Sequence, residues 1–328
     1  MQNFRPENIP TAISAFQPDG EVPVLNELHL EGGQCCIFKA DFSDGESWSV
    51  RIPIHVQSDS QDVIINVLQA ERDVLQEINR KGFRWAPKYL GSSFTFQNLV
   101  GFPFLALSWI EGSPLSWSPV DPPRPLRDKV LGQIAEIQMS LIECTKENRG
   151  TATKYFLRLI DNKLRRVRKG ELPRLTEQDC FEQRRLLPQV LHLELENAPY
   201  AIDHGDLSPQ NILADSEYNV TGIIDWGFAA KVPIQLAGRL PRLLQLQEPV
   251  LPPSRTLQQD RKTYIASLTS HSSEAASWIS LIHSCKDVDF RDCFLESVIS
   301  KGAHQLLARL GWKLPYRDLQ SAGSCDGR

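Results

Sequence analysis

No apolar run in this sequence approaches the ~18 residues that a membrane-spanning helix requires, so no membrane partner is expected. The first twenty residues, MQNFRPENIPTAISAFQPDG, lack both an apolar stretch and a small-residue cleavage site, so no secretory signal is expected either. There is no CxxC pair. The seven cysteines, at positions 35, 36, 144, 180, 285, 293 and 325, are odd in number and scattered. That pattern argues against a disulfide framework or a zinc cluster and suits reduced thiols in the cytoplasm. Neither sign of charge dominates: 36 Lys and Arg stand against 40 Asp and Glu, a net charge of −4. A chain so balanced is not built to hold long nucleic acid by counterion release. No nucleic-acid partner is expected, and there is no internal repeat or low-complexity tract.

What is present is globular. The 328 residues are 41% hydrophobic and 23% charged, enough for two lobes or one large domain with a sizeable core. Residues 1–20, with three prolines, read as an irregular lead-in. From 21 to 57 the texture is strand-like. QCCIFKADF and SWSVRIPI flank a turn at Asp44-Gly45 and predict a hairpin. Cys35 and Cys36 should point to opposite faces of it and serve packing.

Residues 62–80 predict a helix that stops at Gly82, with Ile64, Leu68, Leu75 and Ile78 on one stripe. Glu71 falls on that stripe. A carboxylate buried there without a partner is costly, so the bland reading has it reaching out to water. Strands are predicted at 89–96 and 102–110. Gly112-Ser-Pro-Leu and the prolines of 119–125 mark a break, and a second clear helix covers 127–144. The segment 146–190 is polar and helical. Within it, Arg158 to Lys169 holds six basic residues against one Asp. Its bland reading is a solvated helix face; the sharper one is recognition of an acidic acceptor or of phosphate groups. From 234 onward the pattern is helical, broken at Leu251-Pro-Pro, and the last residues read as frayed.

The chemistry is concentrated in His204-Gly-Asp-Leu-Ser-Pro-Gln-Asn211-Ile-Leu and Gly222-Ile-Ile-Asp225-Trp-Gly-Phe. Phosphoryl transfer explains each residue type. An accepting hydroxyl needs a carboxylate to take its proton, and Asp206 suits that role. Mg²⁺ takes hard oxygen ligands, one or two of them carboxylates. Asn211 offers an amide oxygen and Asp225 a carboxylate. Ile212-Leu-Ala-Asp, a turn, and Val220-Thr-Gly-Ile-Ile predict a hairpin that places Asn211 and Asp225 at the same end. Gly32-Gly33, before a strand, is a weaker signal for a phosphate-cradling loop.

HGDLSPQNIL together with IIDWGFA resembles the aminoglycoside phosphotransferase and choline kinase-like family, which has the protein-kinase-like fold. GELPRLTEQDCFEQRRLLP, the GIIDWGFA run and VPIQLAGRLPR are similar to its uncharacterised fungal branch. The resemblance spans about residues 28 to 240. It implies Asp206 as catalytic base, Asn211 and Asp225 as Mg²⁺ ligands, and His204 as the residue that orders the catalytic loop. It makes Arg51 the nucleotide-binding base of the third strand, paired with Glu71. Ser108 and Ile110 fall on the hinge that meets adenine, and Gly33 on the glycine loop. Periodicity agrees on one point: Arg51 lies between Val50 and Ile52 and faces the other way, so a helix packed there would bring Glu71 to it.

The sequence departs from the family in having Arg rather than Lys at position 51, Gly at 227, and few glycines in the loop. Residues 146–198 match no antibiotic-specific pattern, so action on an antibiotic is not implied. His29, His55, His192, His271, His283 and His304 show no metal spacing and read as ordinary, and Trp226 as a core residue. The implied fold is α+β and bilobal: a small antiparallel-sheet lobe at 1–108 for nucleotide, and a mainly helical lobe at 109–328 for catalysis and acceptor. The implied activity is an ATP- and Mg²⁺-dependent phosphotransferase acting on a hydroxyl of a small molecule. A non-catalytic nucleotide-binding regulator on the same fold is the alternative. A protein kinase fits less well, because only about eight residues separate Asp225 from the next predicted helix.

Overall fold

The computed structural model describes residues 4–31, 35–54, 60–246, 251–270, 273–284 and 287–315. In chain order the elements are α1 (Ile9–Ser14), β1 (Val24–Glu31), β2 (Cys36–Asp41), β3 (Ser47–Ile52), α2 (Gln61–Arg80), β4 (Tyr89–Ser93), β5 (Phe104–Ser108) and β6 (Ser113–Pro114). Then come α3 (Arg124–Thr145), α4 (Ala152–Arg168), α5 (Glu177–Val190), β7 (Tyr200–Asp203), β8 (Ile212–Ala214), β9 (Val220–Ile223) and β10 (Ala230–Pro233). The chain ends in α6 (Ile234–Ala237), α7 (Arg255–Thr269), α8 (Glu274–His283), α9 (Val288–Ile299) and α10 (Lys301–Arg309). Two compact units result. Met1–Leu115 groups with His204–Ala230, and Ser116–Asp203 groups with Lys231–Arg328. The first unit therefore takes in the whole HGD-to-DWG segment, which a single cut of the chain at 108/109 assigns to the second half.

The first unit is built on an antiparallel five-stranded sheet in the order β1-β2-β3-β5-β4. The predicted hairpin forms, with Cys36 opposite Ile52 and Asp41 opposite Ser47. Strict alternation divides its residues between two faces. Phe38, Trp48, Val50 and Ile52 join Ile9 and Ile13 in one apolar cluster. Residues 1–20 are thus not merely irregular: α1 buries Ile9 and Ile13, one turn apart, against the sheet. Each such burial contributes about 1.5–3 kcal/mol. Three local prolines masked that short helix, since they usually signal a break.

The other sheet face carries Arg51, and α2 packs there. Its buried residues are Ile64, Leu68, Glu71, Leu75 and Ile78, the predicted stripe. The helix ends as predicted, where Gly82 takes φ +75° and Phe83 N–H donates to Ile78 O at 3.0 Å.

The second unit is helical around a two-stranded β7–β10 sheet. The segment 146–190 resolves into α4 and α5, each begun by a threonine cap, Thr151 and Thr176. Across α3 and α7, Arg127 Nε and Nη2 clamp the buried Asp260 carboxylate at 2.9 and 2.7 Å. Arg165, Arg166 and Arg168 are exposed, in the last turn of α4, with Arg166 paired to Glu171 and Arg168 to Glu177. This is the solvated face of the bland reading, with one exception. Lys163 is buried. Among the described residues, no helix is long and apolar enough to cross a membrane.

Candidate active site

The site grows from the ends of the β8–β9 hairpin. Ile212 pairs with Ile223, and Ile224 N–H donates to Asn211 O at 2.9 Å. Asn211 and Asp225 therefore leave the hairpin side by side, as the spacing predicts. The Asn211 side chain, 6% exposed, turns back on the His204-Gly-Asp206 loop. Its Nδ2 donates to Asp206 O at 2.8 Å and to Asp206 Oδ2 at 3.1 Å. The amide nitrogen is committed to the candidate base, so any metal role falls to the amide oxygen.

His204 orders the loop from below. Asp206 N–H donates to its Nδ1 at 3.3 Å, so Nδ1 is the acceptor and Nε2 carries the proton. That Nε2–H donates to Ile224 O at 3.0 Å. One neutral tautomer thus joins the residue before Asp225 to the backbone of Asp206. The imidazole stacks edge-on against Trp226, whose own Nε1 donates to Ile223 O at 2.9 Å. Trp226 is buried beneath the Asp225 loop, a core residue as read. Gly205 makes this closeness possible. It has φ +82°, and a Cβ there would lie 2.4 Å from Phe228 O, nearer than any side-chain carbon is tolerated.

Asp225 has φ 62° and ψ 66°, a left-handed conformation that costs a non-glycine residue about 1–2 kcal/mol. Its carboxylate is held by Arg51, whose Nη2 donates to Oδ1 at 2.5 Å. Arg51 Nε stands 3.3 Å from Glu71 Oε2, an ion pair without hydrogen-bond alignment. The pairing expected of Arg51 and Glu71 is present. At 2% exposure Glu71 does not reach water, which corrects the bland reading. Burial raises its pKa, more than Arg51 lowers it, and Asp225 raises it further. For Arg51, burial works against the charge, but Glu71, Cys35 and Asp225 outweigh it and hold its pKa above the ordinary value.

Two neighbours of this cluster escaped sequence reasoning. Cys35 is buried and sits in the field of Arg51, Glu71 and Asp225, its thiol pushed up to about 11 chiefly by burial. Alternation held a usable signal, because Cys36 faces the apolar cluster and Cys35 must face the other way. Gly227 is the second. A Cβ there would lie 3.3 Å from Arg51 Nη2, 3.5 Å from Asp225 Oδ1 and 3.7 Å from Glu71 Oε2. Nothing in the sequence announces a contact between positions so far apart.

Ser108 and Ile110, expected at a hinge, have neighbours within the chain. Ser108 N–H donates to Lys88 O and Trp109 N–H to Ser47 O, each at 2.9 Å. The Ile110 side chain packs on Gly222, where a Cβ would come within 2.7 Å of Cδ1. Gly33, like His55 and His271, lies outside the described residues. Among the described residues there is no group of three or more His, Cys, Asp or Glu able to hold a metal. A carboxylate and an amide oxygen fit a hard ion that completes its shell with phosphate and water; they do not fit a soft metal.

The profile of the phosphotransferase enzyme family (APH) matches residues 65–234, which hold all of these site residues except Arg51, Cys35 and Gly33. No curated protein matches by sequence. Among solved structures, choline kinase from Cryptosporidium parvum Iowa II is similar at TM-score 0.58 and 13% identity, covering 97% of each chain. The streptomycin–ATP ternary complex of APH(2")-IIa aligns at TM-score 0.56 and 13% identity, over 89% of this chain and 93% of that one. A GDP and kanamycin complex of an APH(2") enzyme aligns at TM-score 0.50 and 19% identity, over 97% and 98%. At such identities the likeness is one of fold, and the fold is the kinase-like α+β type.

Proposed function

The chain belongs to the phosphotransferase enzyme family, and from that premise we propose that it moves the γ-phosphoryl group of ATP, with Mg²⁺, to a hydroxyl of a small molecule. The observation that carries this reading is a single hydrogen-bonded set. Asn211 Nδ2 holds Asp206, and Asp225, at the same end of the hairpin, is held by Arg51. A base, two hard oxygen donors and a phosphate-binding cation thus lie within one compact unit.

Asp206 accepts the proton of the acceptor hydroxyl, and His204 fixes the loop that presents it. Asn211 Oδ1 and the Asp225 carboxylate hold Mg²⁺, which when bound neutralises phosphate charge. Arg51 binds phosphate through its planar fork, with Glu71 setting its position. Because Ser108 and Trp109 N–H are engaged within the sheet, the purine meets this strand through carbonyl groups and Ile110. Gly33 belongs to the loop over the phosphates. Residues 1–108 bind nucleotide and 109–328 serve catalysis and acceptor recognition, within a single phosphotransferase domain. The enzyme is placed in the cytoplasm on its scattered cysteines.

The test is ATP turnover in Mg²⁺ against a library of hydroxylated metabolites, with mass detection of the added phosphoryl group, about 80 Da. Asp206→Asn should lower turnover ~10²–10⁴-fold and leave nucleotide affinity unchanged. Near-normal turnover in that variant would remove Asp206 as base. Nucleotide binding without turnover of any acceptor would favour the regulatory alternative.

A further inference from the structure

Residues 204–230 of the first unit carry the candidate base and metal ligands, and one large apolar side chain among them stands in water. Phe228 is 56% exposed, whereas Trp226, two residues earlier, is 1% exposed. One short turn, Trp226–Phe228, carries both. Trp226 is anchored by its burial, by its Nε1 bond to Ile223 O at 2.9 Å and by its edge-on contact with His204. Ala229 N–H closes the turn on Trp226 O at 3.0 Å. The contacts that fix this turn use the backbone and Trp226. The Phe228 ring adds nothing to them and leaves apolar surface in water.

A single exposed phenylalanine on an ordinary surface needs no explanation. This one is set apart by what it touches. A Cβ on Gly205 would come within 2.4 Å of Phe228 O and 3.0 Å of Phe228 Cβ, so the root of the Phe228 side chain lies against that glycine. Gly205 is bonded to Asp206 in the chain. The ring therefore starts one residue from the candidate base. Asp206 and Asp225 are both half-buried and polar, which makes Phe228 the large apolar surface that this segment presents beside them.

We propose that Phe228 forms an apolar wall of the acceptor site, and that the acceptor is an alcohol with an aromatic or alkyl group close to its reacting hydroxyl. The inference rests on the phosphotransferase reading, in which Asp206 takes the hydroxyl proton. Such an alcohol gives its hydroxyl to the Asp206 carboxylate and lays its apolar part on the ring. Aromatic rings meet offset or edge-on with centroids about 4.5–7 Å apart, a span that suits a group next to the hydroxyl. Because the turn is already fixed, ordering the ring costs little beyond its own side-chain torsions. A polyol without an apolar group leaves the ring in water and gains nothing from it.

NMR titration of the full chain with 2-phenylethanol and with ethane-1,2-diol tests it. The phenyl alcohol should bind saturably in the millimolar range or tighter, with the diol at least ~10-fold weaker. Phe228→Ala should weaken the phenyl alcohol ~10-fold, and Phe228→Leu, which keeps apolar bulk, should retain most of the affinity. Both variants should melt with the unaltered chain, since the ring is exposed. Absence of saturable binding of the phenyl alcohol, equal binding of the two alcohols, or undiminished binding in Phe228→Ala would each overturn the proposal. Mg-ATP binding, measured on the same samples, separates it from the reading it rests on. A chain that binds Mg-ATP but no phenyl alcohol overturns this proposal alone. A chain that binds the alcohol through Phe228 but no Mg-ATP overturns the phosphotransferase reading, and the acceptor role with it.

Discussion

Arg51 and Lys163 are both basic side chains taken largely out of water, one in each compact unit, and their surroundings differ in kind. Arg51, 12% exposed, divides its guanidinium between Glu71 and Asp225. Lys163, 8% exposed, donates to Ser297 O at 2.5 Å and to His304 Nδ1 at 3.1 Å, so its described partners are a carbonyl and an imidazole. The consequences are opposite. The carboxylates keep Arg51 above its ordinary pKa, whereas burial pulls the Lys163 ammonium down to about 8. A planar, delocalised charge with two anionic partners tolerates burial. A compact ammonium without a carboxylate does not, and reads as a packing solution rather than a binding one.

The largest expected effect breaks the comparison directly. Arg51→Ala leaves Glu71 buried without its cation and should lower unfolding free energy by about 3–5 kcal/mol, with a loss of ATP affinity. Lys163→Met keeps volume and leaves no carboxylate without its cation, so it should be neutral or stabilising. Urea melts of both variants decide it: equal losses would mean that the two cations are held alike.

The next effect is a pH dependence. Burial first, and Lys163 second, pull His304 down to about 4. Both His304 and Lys163 thus have folded pKa values below their unfolded ones. The unfolded chain takes up each proton first as pH falls, so stability is full above the unfolded pKa and declines towards the folded one. The windows run from 10.5 to about 8 for Lys163 and from 6.5 to about 4 for His304. Each is worth about 3 kcal/mol. Chemical melts across pH should lose the upper slope in Lys163→Met and the lower slope in His304→Gln. A Lys163→Met protein with the slope of the unaltered chain above pH 8 would place the ammonium in water.

A smaller effect sharpens the Arg51 side. Arg51→Ala and Glu71→Ala should couple by about 0.5–3 kcal/mol, the double variant losing less than the sum of the singles. Strict additivity would mean that their 3.3 Å contact carries no energy. Smallest of all, replacing Arg165, Arg166 or Arg168 with Gln should change stability by no more than about 0.5 kcal/mol each. A raised acceptor KM with unchanged ATP KM in these variants would reassign the stretch from a solvated face to acceptor recognition.

Local spacing was enough for a good part of this protein. The α2 stripe, the stop at Gly82, both hairpins and the shared end of Asn211 and Asp225 follow from periods of 3.6 and 2 and from turn residues, which act between near neighbours in the chain. The same periodicity held more than was drawn from it: Ala152, Phe156, Ile160 and Lys163 share one buried stripe of α4, so Lys163 stood apart from its basic neighbours by position alone. What tertiary structure decided lies beyond local spacing. Alternation sent Cys35 away from the apolar face, but not onto a charged cluster. Gly227 is seen to adjoin the charged cluster only once Arg51, 176 positions earlier in the numbering, stands beside it. The Asp292 carboxylate resembles its neighbours Asp289 and Glu296 in sequence and differs in its burial and in which arginines reach it. Contacts of that kind depend on where distant backbones come to rest. A sequence records the residues that meet there, and the fold determines the distances, burial and charge that pair one carboxylate closely and leave another without a hydrogen bond.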